Sequence, residues 1–226
     1  MIGIICPSED EMNPIIEHMV VKDSYTTAML KINRGTIKNK EVVLLFSGVC
    51  KVNAAIATQL VINKFQIDKI ILSGVAGSIN ESIKIFDTII ATEIAHHDVA
   101  NEILTEYHPW MESIWFKQKE EYIENLKIID NDSKFGLKYG RIISGESFII
   151  SNKDKLDLNR KYQAMCVDME SASVAQVCYA NGIPLLVIRT ITDNCDGNGF
   201  DNFECNIVQS SIISGKIAIE YIKRFG

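Results

Sequence analysis

Three carboxylates follow apolar, strand-like runs of the sequence: Glu11, Glu170 and Asp193. A carboxylate accepts hydrogen bonds from hydroxyl groups and can take or hold a proton, so these positions suit acid–base chemistry on a hydroxylated ligand. Asp193 stands at the end of a very apolar strand, and an Asp walled by apolar residues at such a position can keep a proton to donate because its pKa rises. Each position also has an ordinary explanation, since Glu11 and Glu170 stand at predicted helix starts and Asp193 at a predicted turn.

Arg189 is the most unusual cation, because it lies inside the very apolar strand predicted for residues 185–190. A buried guanidinium needs an anionic partner, and Glu11 and Glu170 are the candidates. Only five of the 23 basic residues are Arg, so the chain has few side chains able to clamp an anion in a bidentate way.

Two further motifs follow buried strands. The run Ser73-Gly74-Val75-Ala76-Gly77-Ser78 predicts a tight turn with accessible backbone N–H groups, but it matches neither G-x-G-x-x-G nor G-x-x-x-x-G-K-[ST]. Phe148 follows the strand predicted at residues 140–144. It is expected either in the core or stacked on a flat heterocycle.

The elements that position these residues alternate along the whole chain, which indicates a three-layer α/β/α sandwich with a mostly parallel central mixed sheet. No linker, repeat or charge block interrupts residues 1–226, so one domain is predicted. Ligands bind beyond the carboxyl ends of strands in such sheets, where the motifs above fall. The predicted strands are residues 2–6, 25–33, 42–47, 69–73, 87–95, 140–144, 164–167 and 185–190. The predicted helices are residues 9–19, 52–65, 122–130, 153–160, 169–181 and 203–224.

Composition narrows the function further. The 226 residues are 47% hydrophobic and 23% charged, which excludes a disordered chain. A net charge of -6 argues against a nucleic-acid partner. The six cysteines form no C-x-x-C pair and have no His at ligand spacing, so neither a metal site nor a dithiol motif is predicted. The sequence has no readable export signal or membrane-spanning run, and a cytoplasmic protein without membrane contact is expected.

Residues 100–119 form an excursion with little periodicity that contains His108, Pro109, Trp110, Trp115 and Phe116. Excursions of this length serve as lids, binding loops or interface segments. These aromatic rings are expected to be covered by a ligand or a partner subunit, or equally to pack against the chain's own core.

Six segments, in this order and spacing, resemble the methylthioadenosine/S-adenosylhomocysteine nucleosidases of the purine nucleoside phosphorylase superfamily. They are residues 2–11, 47–53, 73–78, 144–149, 167–172 and 189–193. The resemblance runs from the first strand to the last helix and is weakest at residues 100–134. It implies a nucleoside phosphorylase-like fold, a small-molecule nucleoside substrate, a homodimer, and no metal or organic cofactor.

The resemblance also implies catalytic roles, carried over residue by residue. Glu11 matches the general base that activates water, and Asp193 matches the acid that protonates adenine N7. Glu170 takes the ribose hydroxyls beside Met169. Arg189 and Glu170 match the partners of Glu11 around that water and the ribose.

Substrate contacts follow in the same way. Phe148 matches the aromatic that stacks on the base, the backbone of Ile149 reads the adenine edge, and Phe200 covers the 5' tail. His97-Asp98 resembles a family dipeptide and is interpreted as structural support. Further substrate contacts are implied for Gly77, Val49 and Ala76.

Four positions depart from the commonest family pattern. Cys6 and Cys50 stand where the family usually has Gly, and Ser8 stands where a Met that contacts the 5' tail is common. Val75 replaces a Ser that bonds the catalytic acid in many members. These departures leave open the pKa of Asp193 and the preferred 5' substituent.

Three alternatives remain at the level of sequence. A phosphorylase would cleave the same bond with phosphate, but the acidic loop at residues 7–11 would repel that anion. A hydrolase for another 5'-modified nucleoside, such as 5'-deoxyadenosine or futalosine, would have similar base-side residues. A non-catalytic nucleoside-binding protein would not need both an acid and a base.

Overall fold

The computed structural model describes residues 1–107 and 111–226. The strands are β1 (Ile2–Cys6), β2 (Val20–Thr27), β3 (Leu30–Ile37), β4 (Lys40–Phe46), β5 (Lys69–Ser78), β6 (Thr88–His96), β7 (Phe116–Lys117), β8 (Lys138–Ser144), β9 (Cys166–Asp168) and β10 (Leu185–Asp193). The helices are α1 (Glu9–Ile16), α2 (Lys51–Lys64), α3 (Asn101–Glu106), α4 (Glu120–Ser133), α5 (Asn152–Tyr162), α6 (Ser171–Asn181) and α7 (Gly199–Phe225).

The strands form one mixed sheet whose centre is parallel. β1 lies between β4 and β5, and β5 pairs in parallel with β10. β10 pairs antiparallel with β6. β6 pairs in parallel with β8, and β8 pairs in parallel with β9. β9 in turn pairs antiparallel with the end of β5. The strands β5, β10, β6, β8 and β9 therefore pair in a closed ring. From β5 the sheet continues outward through β1, β4, β3 and β2. The mixed α/β architecture predicted from the sequence is confirmed.

Alternation along the buried strands places helices on both faces of the sheet. In β4, Val42 and Leu44 pack toward one apolar cluster, and Val43 and Leu45 pack toward the other. The first cluster includes side chains of α1, α4 and α7, and the second includes side chains of α2 and α6. Because a strand's side chains point alternately to opposite faces, a strand apolar at every position is buried between two helical layers.

The strand predicted for residues 25–33 is wrong, because this segment contains a turn between two strands. β2 ends at Thr27, and the turn residues Ala28 and Met29 have φ angles of 47° and 66°. Non-glycine residues seldom adopt this left-handed conformation, so nothing in the sequence marks the turn. A second such turn at Lys38-Asn39 joins β3 to β4.

The tight turn predicted for residues 73–78 is also corrected, because these residues continue β5 to Ser78. Neither Gly74 nor Gly77 has a positive φ. The absence of a side chain matters here for another reason: a Cβ at Gly74 would lie 2.5 Å from a guanidinium nitrogen of Arg189, and one at Gly77 would lie 2.8 Å from an Asp193 carboxylate oxygen. These glycines leave room for buried charged groups.

The excursion at residues 100–119 contains α3 and the short strand β7. Phe116 is buried and meets Tyr179 at a ring-centroid distance of 5.7 Å, and Trp115 lies 4.4 Å from the Arg141 guanidinium carbon. These two rings therefore pack on the chain's own core. Predictions for His108, Pro109 and Trp110 fall outside the described residues. In the described ranges, no helix is long and apolar enough to cross a membrane.

Candidate active site

A cavity of about 270 Å³ opens at the carboxyl ends of β1, β5, β9 and β10. This is the edge at which the strand-end motifs were expected to meet. Glu11, Glu170 and Asp193, which are distant in the chain, all line the cavity. So do seven predicted substrate contacts: Val49, Ala76, Gly77, Phe148, Ile149, Met169 and Phe200. Arg189 is the predicted site residue that does not line it.

Glu11 belongs to the first turn of α1 and is buried. Its Oε1 accepts a 2.9 Å hydrogen bond from the Val75 N–H, and its Oε2 accepts a 2.6 Å bond from the Ser8 hydroxyl. Burial raises the pKa of Glu11, and the Arg189 charge and the hydrogen bonds from Ser8 and Val75 oppose that rise. The carboxylate is thus restrained on both oxygens beside a cation, as suits a base that must be ionised.

Arg189 lies in the middle of β10, fully buried behind the cavity. Its Nε is 2.7 Å from Asp168 Oδ2, its Nη2 is 3.2 Å from Glu170 Oε2, and its Nη1 is 3.8 Å from Glu11 Oε1. Burial alone would lower the pKa of Arg189, but the three carboxylates outweigh it and raise the pKa. One buried cation therefore holds three acids in place.

Asp168 is the nearest carboxylate to Arg189 and has a role that the sequence did not reveal. Its Oδ1 accepts hydrogen bonds from the Ser144 hydroxyl at 2.5 Å and from the Ser171 N–H at 3.1 Å. Its Oδ2 accepts from the Ser171 hydroxyl. Asp168 therefore anchors the start of α6 and orients Arg189, whereas Glu170 is left free of helix capping.

Glu170 is held between the start of α2 and Arg189. Its Oε1 accepts a 3.0 Å hydrogen bond from the Cys50 N–H, and its Oε2 accepts the bond from Arg189. Burial raises the pKa of Glu170, while Arg189 opposes the rise and the charge of Asp168 adds to it. The remaining lone pairs are available to hydroxyl groups of a ligand in the cavity.

Asp193 ends β10 in different surroundings from the other two acids. Its Oδ1 accepts from the Cys195 N–H at 2.9 Å, and its Oδ2 accepts from the Thr192 hydroxyl at 2.9 Å. Burial raises the pKa of Asp193, and these hydrogen bonds offset the rise only in part. Thr192 and Cys195 provide the partners for Asp193 in a chain where Val75 has no hydroxyl. Nothing in the sequence signals this role, because Cys195 acquires it through a φ of 50°.

The other wall of the cavity is apolar and aromatic. Phe148 meets Phe200 edge-to-face at 6.2 Å and Phe203 at 5.8 Å. Phe203 and Ile207, one turn and two turns further along α7 than Phe200, also line the cavity and were not predicted. A flat heterocycle fits between such rings and the strand-end acids.

The cavity holds carboxylates without accessible cations. None of the described residues that line it is Lys, Arg or His. Within the described ranges, no group of three His, Cys, Asp or Glu side chains is arranged to hold a metal ion. An anionic ligand would meet like charge here, whereas a neutral hydroxylated ligand would meet hydrogen-bond acceptors.

A family model described as the phosphorylase superfamily matches residues 1–223. With the sheet and the cavity at its strand ends, this match defines the class: the chain belongs to the phosphorylase superfamily. The 5'-methylthioadenosine/S-adenosylhomocysteine nucleosidase of Staphylococcus haemolyticus is 34% identical over 227 residues, covering 99% of each chain.

Solved structures agree with this relationship. The Helicobacter pylori 5'-methylthioadenosine/S-adenosylhomocysteine nucleosidase superimposes with a TM-score of 0.92 at 31% identity, covering 99% of this chain and 98% of that one. Futalosine hydrolase of Helicobacter pylori superimposes with a TM-score of 0.89 at 31% identity, covering 96% of this chain and 94% of that one. Within the superfamily, the chain belongs to the family of 5'-methylthioadenosine/S-adenosylhomocysteine nucleosidases.

Proposed function

We propose that this protein hydrolyses the N-glycosidic bond of 5'-methylthioadenosine, S-adenosylhomocysteine or both, releasing adenine and the 5-thio-substituted ribose. The observation that carries the proposal is the contrast between two buried acids on one cavity. Glu11 lies 3.8 Å from a guanidinium nitrogen of Arg189. Asp193 is held by an N–H and a hydroxyl group. Burial raises the pKa of both acids, but the neighbouring cation favours the ionised form of Glu11, which suits the base, and leaves Asp193 as the better proton donor.

The chemistry requires both protonation states. Adenine is a poor anionic leaving group, so Asp193 donates a proton to N7 and the base departs neutral. The ribose then develops positive charge, which Glu170 and Glu11 stabilise. Glu11 takes a proton from the water that attacks the opposite face of the sugar, by the logic of an inverting glycosidase. Arg189, behind the cavity, orients Glu11 and Glu170.

The cavity lining supports the assignment of substrate groups. Glu170 and Met169 bind the ribose, Phe148 stacks on the base, and the Ile149 backbone reads the base edge. Phe200 covers the 5' substituent. The remaining proposed contacts are Gly77, Val49 and Ala76.

Water, rather than phosphate, is the proposed nucleophile. The described lining lacks a basic side chain, and the first turn of α1 carries the exposed acids Glu9 and Asp10. Phosphate would need cationic or N–H donors to compensate for its charge. The guanidinium of Arg189 is fully buried, pairs with three carboxylates and does not line the cavity.

The substrate class is supported by a ligand seen in a relative. The Helicobacter pylori nucleosidase was crystallised with a compound that joins a 4-amino-pyrrolo-pyrimidine to a pyrrolidinol bearing a propynylthio-methyl group. That compound presents a bicyclic base, a hydroxylated five-membered ring and a thioether arm. These three parts match the aromatic wall, the acids and the apolar end of the cavity in this chain.

A hydrolase for futalosine is the second candidate, and the similarity to futalosine hydrolase favours it. One assay separates the candidates: purified protein in phosphate-free buffer is given methylthioadenosine, S-adenosylhomocysteine, 5'-deoxyadenosine or futalosine, and the free base is measured. We expect adenine from methylthioadenosine, with no gain when phosphate is added. Strict dependence on phosphate, or base release from futalosine alone, would reject the proposal.

We also propose a single domain, a cytoplasmic location and a homodimer. A single domain over residues 1–226 is supported by one sheet that contains strands from both ends of the chain. A cytoplasmic location is supported by six free cysteines. A homodimer is supported by three exposed apolar side chains just before and within α2: Val49, Val52 and Ile56, of which Val52 is 67% exposed. Light scattering on the purified chain tests the dimer.

A further inference from the structure

Cys50 has a backbone conformation that normally belongs to glycine. Its φ is 83° and its ψ is 161°, a region that side chains make costly. In this conformation the Cys50 N–H, at the start of α2, donates a 3.0 Å hydrogen bond to Glu170 Oε1. A strained conformation persists only where neighbouring contacts enforce it, so the surroundings of Cys50 must supply that restraint.

Three charged residues form a hydrogen-bonded network at the residue that follows Cys50, and we call them the 51–98–146 cluster: Lys51, Asp98 and Glu146. The Lys51 N–H donates to Glu146 Oε1 at 3.0 Å, and Lys51 Nζ donates to both Asp98 oxygens at 2.7 Å. The Glu146 N–H donates to Asp98 Oδ2 at 3.0 Å, which closes the ring. The Lys51 carbonyl accepts a 2.6 Å bond from the Ser173 hydroxyl.

The cluster differs from the exposed ion pairs of this protein. The Lys51 and Asp98 side chains are 18% and 27% exposed, whereas the Lys127–Glu124 pair on α4 is 50% and 56% exposed. Partial burial opposes ionisation, yet the bonds from Lys51 and the Glu146 N–H prevail and lower the pKa of Asp98. A partly buried, hydrogen-bonded pair restrains its backbone more than a pair in water does.

The cluster also links two parts of the site without lining it. Lys51 begins α2 directly after Cys50, and Glu146 precedes Ser147 and Phe148, which line the cavity. Burial and a hydrogen bond to Glu146 raise the pKa of the Cys50 thiol to about 11. The two anions Glu170 and Glu146 therefore accept successive N–H groups at one helix start.

We propose that Lys51, Asp98 and Glu146 are positioning residues for the ribose-binding carboxylate: they hold Cys50 in its strained conformation so that its N–H fixes Glu170. This inference rests on the proposed function, because it takes Glu170 as the acceptor of the ribose hydroxyls. The residues act through Cys50 and Glu170 and contact no substrate themselves.

The test compares methylthioadenosine with its 3'-deoxy analogue in the full-length enzyme. Lys51→Met and Asp98→Asn each break the cluster, and Lys127→Met breaks a surface pair as the matched control. We expect kcat/KM for methylthioadenosine to fall about tenfold, as loss of a hydrogen bond to a charged group predicts. The 3'-deoxy analogue should lose much less, since it lacks a hydroxyl for Glu170, and Lys127→Met should change neither substrate.

Equal losses for both nucleosides, or no loss with either variant, would overturn the positioning role, because a structural defect affects both substrates alike. A rescue experiment is a second test of the proposal, and it remains valid even if Lys51→Met is poorly folded. Gly adopts a positive φ without strain, so Cys50→Gly added to Asp98→Asn should recover part of the lost preference for the hydroxylated substrate. No recovery would count against the strain argument. A wild-type enzyme that releases no adenine would instead refute the proposed function.

Discussion

The Ser8 hydroxyl donates a 2.6 Å hydrogen bond to Oε2 of Glu11, and the Glu11 N–H lies 3.4 Å from the same hydroxyl oxygen. Ser8 is the N-cap of α1 and Glu11 is its third residue, the spacing of a capping box. The proposed base is therefore fixed by the residue that starts its own helix. A Met at position 8, common in the family, could form neither hydrogen bond.

Ser8→Ala should move the pH dependence of turnover. The Ser8 bond stabilises the Glu11 carboxylate, so removing it raises the pKa of Glu11 further, and the base becomes ionised only at higher pH. The acidic limb of the kcat profile is expected to shift to higher pH, and the lost N-cap should cost about 1 kcal/mol in urea unfolding. Ser8→Thr keeps the hydroxyl and serves as the control. An unchanged acidic limb in Ser8→Ala would contradict this role.

Glu11→Gln should reduce kcat at least ~10²-fold, the usual scale for a general base. The amide has nearly the same shape but cannot take a proton from water. Asp10→Asn is the matched control, because Asp10 is the exposed neighbour of Glu11 in the same helical turn. Steady-state assays of adenine release give both values. Native turnover in Glu11→Gln would remove Glu11 from the proposed mechanism.

Helices and strands are predicted best from the sequence where their burial requires a regular run of apolar residues. β1 was predicted at residues 2–6 and is Ile2–Cys6, and α2 was predicted at 52–65 and is Lys51–Lys64. β1 is apolar at every position, as a strand buried on both faces is, and α2 contributes Ala54, Ala57 and Val61 to one cluster at helical spacing. β2 is mostly exposed and turns into β3 through two left-handed non-glycine residues, so neither periodicity nor a glycine marks it.

Within the site, the predicted carboxylates do meet at one cavity, but the groups that hydrogen-bond to them and hold them there are not predictable from the sequence. Asp168 stands two residues before Glu170, and nothing in the sequence tells which of the two faces Arg189 most closely. The answer depends on β9, which places Asp168 2.7 Å from the guanidinium. Cys50 and Cys195 contribute backbone N–H groups through positive φ angles, which their residue types do not indicate.

Gly74→Ala should displace Arg189 and Glu11, which lie next to Gly74. The new Cβ would lie 2.5 Å from the Arg189 Nη1 and even nearer to Glu11 Oε1, and both groups are fully buried with little room to move. We expect adenine release to fall and unfolding free energy to drop by about 1–3 kcal/mol, as overpacking does. Gly197→Ala is the control, because its Cβ would meet nothing within 4 Å. Normal activity in Gly74→Ala would show that Arg189 and Glu11 need not stay where they are.

Asp193→Asn should lose activity and gain stability in a pH-dependent way. The amide cannot protonate the leaving base, so kcat should fall at least ~10²-fold. Burial raises the folded-state pKa of Asp193 above its unfolded value, so the folded state binds the proton more tightly. The stability this contributes is complete below the unfolded pKa near 4 and is lost as the pH rises through the folded pKa.

The Asn variant avoids that loss, because it has no charge to bury. Its advantage in unfolding free energy over the wild type should therefore grow with pH and level off above the folded pKa of Asp193, amounting to about 1.4 kcal/mol for each unit by which the pKa is raised. Urea unfolding at a series of pH values measures it. Asp201→Asn removes an exposed acid from the first turn of α7 and is the control for loss of a carboxylate outside the cavity, so this variant should not gain stability over the wild type as the pH rises. A difference between Asp193→Asn and wild type that stays constant with pH would mean that Asp193 has an ordinary pKa, and the case for it as the proton donor would fail.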